Sequence, residues 1–141
     1  MKLQVVAFDV DGTLYPNGIM YLRSLPFGLI HFRELIAFAR VRKVIRNIKP
    51  MDNFFRRQAE LFAYKLNLSI EEAEERIQTV FYTEWEAVVR SIKPYPYVRE
   101  TLVQLKEAGY KLAVLSDFPI GNKLKYLGLD SFWDAEYSCE E

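Results

Sequence analysis

The chain has 141 residues, half of them hydrophobic and 15% aromatic, so it can form a packed core and is not a disordered protein. Its formal net charge is zero, which provides no overall attraction to nucleic acid or to a membrane, and we expect neither as a partner. The single cysteine, Cys139, excludes an internal disulfide bond and favours a reducing, cytoplasmic location.

Neither a signal peptide nor a membrane span is predicted. The N-terminal apolar run is short and ends in acidic residues, unlike the apolar region of a signal peptide. The longest apolar region, Ile19–Ile48, is interrupted by Pro26 and by several arginines, so it is a poor candidate for a membrane-spanning helix.

The first predicted element is the apolar run from Leu3 to Phe8, which stops at two carboxylates, Asp9 and Asp11. Its length and its valine and phenylalanine content are typical of a buried strand. Gly12-Thr13 follow and predict a turn. Carboxylates at the end of a buried strand are costly unless something positive neutralises them, so this stretch is the main candidate for a functional site.

A block of helices is predicted next, from about Tyr15 to Lys93. Apolar residues at three- and four-residue spacing predict a first helix over Ile19–Asn47, interrupted near Pro26, and a second over about 54–67. Lys49-Pro50-Met51-Asp52 is a break before the second helix, and Asp52 or Asn53 could cap that helix. This part of the chain is therefore expected to be all helix.

The third helix of this block begins with a capping signal. Ser69 and Glu72, three residues apart, fit a capping box in which each side chain bonds the backbone of the other. Pro94 and Pro96 end the block, because two prolines so close together cannot continue a helix.

Helix and strand alternate in the rest of the chain. The predicted elements are a helix over Tyr97–Ala108, a strand over Lys111–Leu115, a short helix over about 121–127 and a strand over Ala135–Ser138. This alternation predicts an α/β fold with a Rossmann-like parallel sheet and right-handed crossovers. The expected domains are a partial core, 1–14 with 94–141, and an inserted helical cap, 15–93, whose ends adjoin the two carboxylates.

Asp9 and Asp11 are placed to act together. Residues two apart on a strand point the same way, so both carboxylates can face one pocket. Such a pair can bind a hard cation such as Mg²⁺, or divide the roles of nucleophile and general acid/base. Ser116 ends the second strand at the same sheet edge, where its hydroxyl and neighbouring amides suit a phosphate oxygen.

The Asp-x-Asp-Gly sequence has two simpler interpretations. An Asp-x-Asp-Gly sequence also begins a calcium-binding loop, but that loop needs a glycine and a glutamate where this chain has Leu14 and Met20. A solvated turn with two ordinary acids remains open, although such a turn rarely follows an apolar run so directly. Ser116 by itself is typical of a simple turn, and only its partnership with Asp9 makes it a candidate.

The stretch Asp9-Val10-Asp11-Gly12-Thr13-Leu14 resembles the first motif of the haloacid dehalogenase superfamily, most of whose members are Mg²⁺-dependent phosphohydrolases. Leu115-Ser116 resembles the second motif, and the helical block is similar to the family's cap. The resemblance implies that Asp9 is the nucleophile, forming an aspartyl-phosphate, and that Asp11 is the general acid/base. It also implies that the Asp9 carboxylate and the Asp11 main-chain carbonyl hold Mg²⁺, and that Ser116 and the amide of Asp117 bind the phosphoryl group.

The implied substrate is a small phosphorylated metabolite. An acid at position 11 argues against dehalogenation, because dehalogenases of the superfamily lack it there.

The family's third motif, a lysine, and its fourth, a pair of acids, are not found before Glu141, so we expect a truncated core with weakened or no activity. Lys123 or Lys125 could replace the lysine. The alternative is a non-catalytic binding or assembly module, such as a homodimer paired through the exposed edge of strand 1.

Three further features have ordinary explanations. The basic stretch Arg33–Lys49 is interpreted as a solvated face, with binding to anionic lipid or nucleic acid as a less favoured alternative. His31, just before it, is interpreted as partly buried rather than as a catalytic or metal-binding residue. Cys139 has no histidine near it in sequence and is not expected to be a nucleophile.

Overall fold

The computed structural model describes residues 4–48 and 52–140. Three strands form one parallel sheet in the order β1-β2-β3. They are β1 (Val5–Asp9), β2 (Lys111–Ser116) and β3 (Ala135–Ser138). The fold is therefore the predicted α/β class, a short Rossmann-like parallel sheet with helices. Leu3 and Lys49, which belong to the predicted first strand and basic stretch, lie outside the described residues.

Helices make up most of the remaining chain. They are α1 (Asn17–Arg23), α2 (Leu25–Ile30), α3 (Phe32–Ile45), α4 (Phe54–Leu66), α5 (Ile70–Arg76), α6 (Val98–Glu107) and α7 (Lys123–Tyr126). A π-helical segment (Ile77–Trp85) and two 3₁₀ segments (Glu86–Ser91 and Asp130–Phe132) complete the set. Within residues 4–48 and 52–140, no helix is both long enough and apolar enough to cross a membrane.

The strand register brings the carboxyl ends of the strands to one edge of the sheet. Asp9 lies opposite Leu115, and Ser116 lies opposite Ser138. The central strand β2 is the buried one, with Leu112 and Val114 fully covered. The expectation that the first strand is buried is wrong for Val5–Asp9, none of whose residues is buried. In the described part of the chain β1 pairs with β2 alone and is an edge strand.

The chain divides into two compact units, one made of Met1–Arg23 with Glu86–Glu141 and the other of Ser24–Trp85. We call them the sheet unit and the helical unit. The sheet unit includes α1, which the sequence-based division had assigned to the cap. The division into domains at 14 and 94 stays a prediction.

The sheet unit has a buried turn after β1. Leu14 and Tyr15 are almost completely buried, and the main-chain oxygen of Leu14 accepts a hydrogen bond from the Tyr95 amide at 2.9 Å. This bond ties the exit from β1 to the segment that leads into α6. The residues just after the two aspartates are therefore fixed both by burial and by this hydrogen bond.

The helical unit has an aromatic core. The rings of Phe38 and Phe81 stack with centroids 3.8 Å apart, and Phe62 meets Phe81 edge to face at 6.1 Å. The capping box is confirmed: the Glu72 amide donates to Ser69 Oγ at 3.1 Å, and the Ser69 amide donates to Glu72 Oε2 at 2.8 Å. These contacts stabilise the helical unit.

His31 is partly buried, as predicted, and lies between two carboxylates. Its Nδ1 is 2.7 Å from Glu34 Oε2, and its Nε2 is 3.3 Å from Glu84 Oε2. It separates α2 from α3, so one helix break falls at His31. A second break falls at Ser24, between α1 and α2, next to the predicted interruption near Pro26, and Pro26 itself lies in the first turn of α2, where proline's missing N–H costs nothing.

Candidate active site

The turn after β1 presents Asp9 to solvent. The Leu14 amide bonds the Val10 main-chain oxygen at 3.0 Å, which closes the turn directly behind the strand end. Asp9 is exposed, and its Oδ2 accepts a hydrogen bond from the Thr13 hydroxyl at 3.1 Å. The turn therefore engages one oxygen of the Asp9 carboxylate, and the side chain remains exposed.

Asp11 is held much more firmly than Asp9. Lys123 Nζ lies 2.9 Å from Asp11 Oδ2 and 3.2 Å from Oδ1, and the Tyr15 hydroxyl also donates to Oδ1. The Asn17 side-chain amide donates to the Asp11 main-chain oxygen at 3.3 Å. The positive charge of Lys123 supplies the neutralisation that a carboxylate at this position needs.

From the sequence, Lys123 was expected only as one of two candidate substitutes for the lysine of the family's third motif. It is buried, whereas the other candidate, Lys125, is exposed. It belongs to a buried stripe at three- and four-residue spacing, which is formed by Ile120, Lys123, Leu124 and Leu127. A lysine on the apolar face of a short amphipathic helix is the sequence signal that distinguishes it from Lys125.

Glu86 positions the loop that carries Lys123, and sequence analysis did not identify it. Its carboxylate is buried and its Oε1 accepts a hydrogen bond from the Asn122 amide at 3.0 Å. Lys123 Nζ also lies 5.5 Å from the centroid of the Phe118 ring, within cation–π range. The Lys123 ammonium group thus contacts the Asp11 carboxylate and the Phe118 ring, and Glu86 fixes the loop that carries it.

Ser116 lies at the end of β2, one residue beyond the strand partner of Asp9. It is buried, and its Oγ accepts a hydrogen bond from the Phe118 amide at 3.2 Å. Its main-chain oxygen accepts from the Cys139 amide at 2.9 Å. Asp117 follows and is exposed. Among the described residues, Ser116 bonds neither aspartate, so the structure places it at the same sheet edge without direct contact.

Burial controls the ionisation of Tyr15. Burial raises the pKa of the Tyr15 hydroxyl well above its ordinary value, and the negative charge of Asp11 and the hydrogen bond to it raise the pKa further. The hydroxyl therefore keeps its proton at any physiological pH and remains a donor to Asp11.

The oxygen donors present match part of a Mg²⁺ site. In the described part of the chain, no group of three or more histidines, cysteines and acids is arranged to hold a metal. The Asp9 carboxylate and the Asp11 main-chain oxygen offer two oxygens at the turn, and Mg²⁺ is commonly held by one or two protein oxygens together with water and substrate phosphate. The Asp11 carboxylate is already occupied by Lys123 and Tyr15 and is not a free ligand.

Comparisons with known proteins agree on one family. A family model described as haloacid dehalogenase-like hydrolase matches residues 3–141. No curated protein matches the chain in sequence. Several solved structures share its fold at sequence identities that are too low to transfer an activity.

Three of these structures show the extent of the similarity. L-2-haloacid dehalogenase from Xanthobacter autotrophicus, with chloropropionic acid covalently bound, is 19% identical with a TM-score of 0.52, and the match covers 97% of this chain and 57% of that one. CbbY from Rhodobacter sphaeroides, in complex with xylulose-(1,5)bisphosphate, is 17% identical with a TM-score of 0.52, covering 97% and 64%. The HAD-hydrolase YfnB from Bacillus subtilis, bound to magnesium, is 11% identical with a TM-score of 0.56, covering 99% and 66%. The chain thus spans less than two thirds of the length of these proteins.

Proposed function

This chain belongs to the haloacid dehalogenase-like hydrolase family, and from that premise we propose that it is a phosphohydrolase acting on a small phosphorylated metabolite. The observation that carries the proposal is the presence of a second carboxylate, Asp11, held by Lys123 and Tyr15 two residues after the exposed Asp9. Phosphoryl transfer through an aspartyl intermediate needs both a nucleophile and a group that moves protons, and these two acids supply them.

In this mechanism the Asp9 carboxylate attacks phosphorus and forms an aspartyl-phosphate, while the bond to the leaving-group oxygen breaks. Asp11, as the proposed general acid, donates a proton to the leaving-group oxygen. Asp11 then takes a proton from the water that attacks the aspartyl-phosphate, and inorganic phosphate leaves with Asp9 restored. Lys123 and Tyr15 keep the Asp11 side chain in one orientation during both steps.

The phosphoryl group is assigned to the end of β2. Because Ser116 Oγ accepts its bond from the Phe118 amide, the Ser116 hydroxyl proton remains available to a phosphate oxygen. The amide of Asp117 is the second proposed donor. Mg²⁺ bound by the Asp9 carboxylate and the Asp11 main-chain oxygen would neutralise phosphate charge. The magnesium bound to the structurally similar YfnB supports this choice of cation.

Hydrolysis of p-nitrophenyl phosphate in the presence of Mg²⁺ tests the proposal. We expect weak turnover by the 141-residue protein, its reduction by at least about 10³-fold in Asp9→Asn and in Asp11→Asn, and an unchanged rate in the exposed control Asp130→Asn. An aspartyl-phosphate trapped by acid quench should map to Asp9 by mass spectrometry. No turnover by folded protein, or turnover that survives Asp9→Asn, would exclude phosphohydrolysis by these residues.

The same assay should include L-2-chloropropionate, since the dehalogenase structure from X. autotrophicus carries chloropropionic acid. The proposal predicts no chloride release, because Asp11 occupies the second acidic position of the motif. Chloride release without phosphate hydrolysis would replace the phosphohydrolase assignment with dehalogenation.

The exposed edge of β1 favours a second candidate, a non-catalytic module that assembles by strand pairing. Val5 is 48% exposed, and the outer side of β1 has no strand partner among the described residues. Sedimentation velocity should then show a homodimer that dissociates in Ala7→Lys, at the centre of β1, and persists in Tyr137→Lys on β3. A monomer at all concentrations, or a dimer unaffected by Ala7→Lys, would exclude this pairing.

A further inference from the structure

Several large apolar side chains of the helical unit are exposed in one short segment. Leu29 is 81% exposed and Ile30 is 76% exposed, both at the end of α2. Leu25, Phe32 and Ile36 are exposed as well. Isolated exposed apolar residues are ordinary, but a run of leucine, isoleucine and phenylalanine along consecutive turns marks an interaction surface.

The exposed face of α3 continues this segment with basic residues. At helical spacing, residues four, seven and eleven positions after Phe32 share its face, and they are Ile36, Ala39 and Lys43. All four are exposed, and the exposed Arg33 and Arg40 lie on the flank of that face. The opposite face of α3, with Phe38 and Val41, is buried in the aromatic core. We call the exposed residues of α2 together with the exposed face of α3 the α2–α3 surface.

The segment that forms the α2–α3 surface is basic, although the exposed Glu84 of the following π-helical segment lies 3.3 Å from His31 Nε2 at its edge. Residues 24–48 contain five basic residues and one acid. That acid, Glu34, is buried, with His31 2.7 Å from its Oε2 and Arg76 2.8 Å from its Oε1. Because the whole chain has no net charge, any attraction to an anionic partner is local to this surface.

The charge of the α2–α3 surface distinguishes between the partners that could cover it. A second copy of the chain docked face to face would bring like charges together, which is unfavourable. An anionic phospholipid surface matches both components, since apolar side chains enter the boundary between headgroups and acyl chains while arginine and lysine contact the phosphates. No described helix can cross a bilayer, so contact with a membrane through this surface is peripheral.

We propose that the α2–α3 surface binds the surface of anionic phospholipid membranes. Leu29, Ile30 and Phe32 enter the lipid interface, and Arg40 and Lys43 contact the headgroups. The basic stretch by itself favoured a solvated face. The exposed apolar side chains beside the basic stretch change that interpretation. Contact between several apolar side chains and water is unfavourable, so a partner that covers them would stabilise this surface. This proposal is independent of the reaction at Asp9.

Co-sedimentation with vesicles tests it on the 141-residue protein. Vesicles of phosphatidylcholine mixed with phosphatidylserine should bind the protein at least about tenfold more strongly than vesicles of phosphatidylcholine alone, and binding should fall as salt is raised. The double variant Leu29→Ser/Ile30→Ser should lose binding by at least about tenfold, whereas Tyr64→Ser, an equally exposed site on α4, should retain it.

A charge-matched pair of variants tests the electrostatic part. Arg40→Gln/Lys43→Gln should bind phosphatidylserine vesicles at least about fivefold more weakly than Lys65→Gln/Lys93→Gln, which removes the same charge from exposed sites outside the α2–α3 surface. Circular dichroism verifies that each variant is folded. The proposal is overturned by absent vesicle binding, by equal binding to uncharged vesicles, or by variants that bind like their controls. It is also overturned if Leu29→Ser/Ile30→Ser dissociates a dimer in solution, since the surface would then be a self-interface.

Discussion

Lys123 Nζ lies 2.9 Å from Asp11 Oδ2, although 112 residues separate the two in sequence. The lysine side chain is 9% exposed and the aspartate side chain is 30% exposed. The pair is therefore shielded from solvent on the lysine side and open on the aspartate side. That arrangement leaves the Asp11 side chain accessible from solvent while its charge is balanced from within the protein.

A double-mutant cycle on this pair should show strong coupling. Lys123→Met is expected to destabilise the fold by about 1–3 kcal/mol, because it leaves the Asp11 carboxylate without its cation. Adding Asp11→Asn should recover part of that loss, for a coupling energy of about 1–2 kcal/mol measured by urea denaturation. The exposed pair Lys106–Asp134, 2.7 Å apart, is the control and should couple more weakly. Equal coupling in the two pairs would contradict the shielding described for Lys123.

Tyr15 should make the protein sensitive to alkaline pH. Burial and the charge of Asp11 raise its pKa in the folded state, whereas the unfolded chain keeps a pKa of about 10. Above that pH only the unfolded state loses the proton, so this stabilising contribution is complete below pH 10 and declines by about 1.4 kcal/mol per pH unit above it.

Denaturant unfolding from about pH 9 to about pH 12 measures this decline. Tyr15→Phe should make the free energy of unfolding fall less steeply over that range. Tyr64→Phe, on an exposed face of α4, should leave the slope unchanged. A slope identical in Tyr15→Phe and the parent protein would show that Tyr15 ionises equally in both states.

Gly121 should be the glycine that tolerates substitution least. Its φ is +50°, and a Cβ there would overlap the Glu86 carboxylate that braces the Lys123 loop. Gly121→Ala is expected to cost about 2–3 kcal/mol, from backbone strain and the forced movement of Glu86. Gly109→Ala, with φ +85° and open space around the added atom, should cost only the strain, about 1 kcal/mol. Equal costs in a thermal or urea unfolding comparison would mean that Glu86 moves freely.

The capping box at the start of α5 should contribute to stability on its own. Ser69→Ala removes the acceptor of the Glu72 amide and is expected to destabilise the helical unit by about 1 kcal/mol. Ser131→Ala, at an exposed serine in a 3₁₀ turn, is the matched control and should change stability by less than about 0.5 kcal/mol. Urea denaturation followed by circular dichroism compares the two, and a Ser69→Ala value as small as the control would contradict the role of the cap.

Local sequence patterns were sufficient to predict most of the helices and strands. The alternation of apolar runs and amphipathic segments predicted the parallel α/β class, and the predicted bounds of β2 and β3 agree with the structure to within one residue. Ser69 and Glu72 marked a helix start because capping depends on residues only three apart. The roles assigned to Asp9, Asp11, Ser116 and Asp117 stay predictions until activity is measured.

Long-range relationships required the folded chain. The sequence by itself determined the fold class and the strand end that carries Asp9 and Asp11, because both depend on short-range periodicity. Only the tertiary structure decided that Lys123 rather than Lys125 meets Asp11, that Glu86 braces its loop, and that none of Val5–Asp9 is buried. The physical reason is that an ion pair between distant residues depends on how α7 packs, and a strand's burial depends on its neighbours, neither of which is encoded in the spacing of nearby residues.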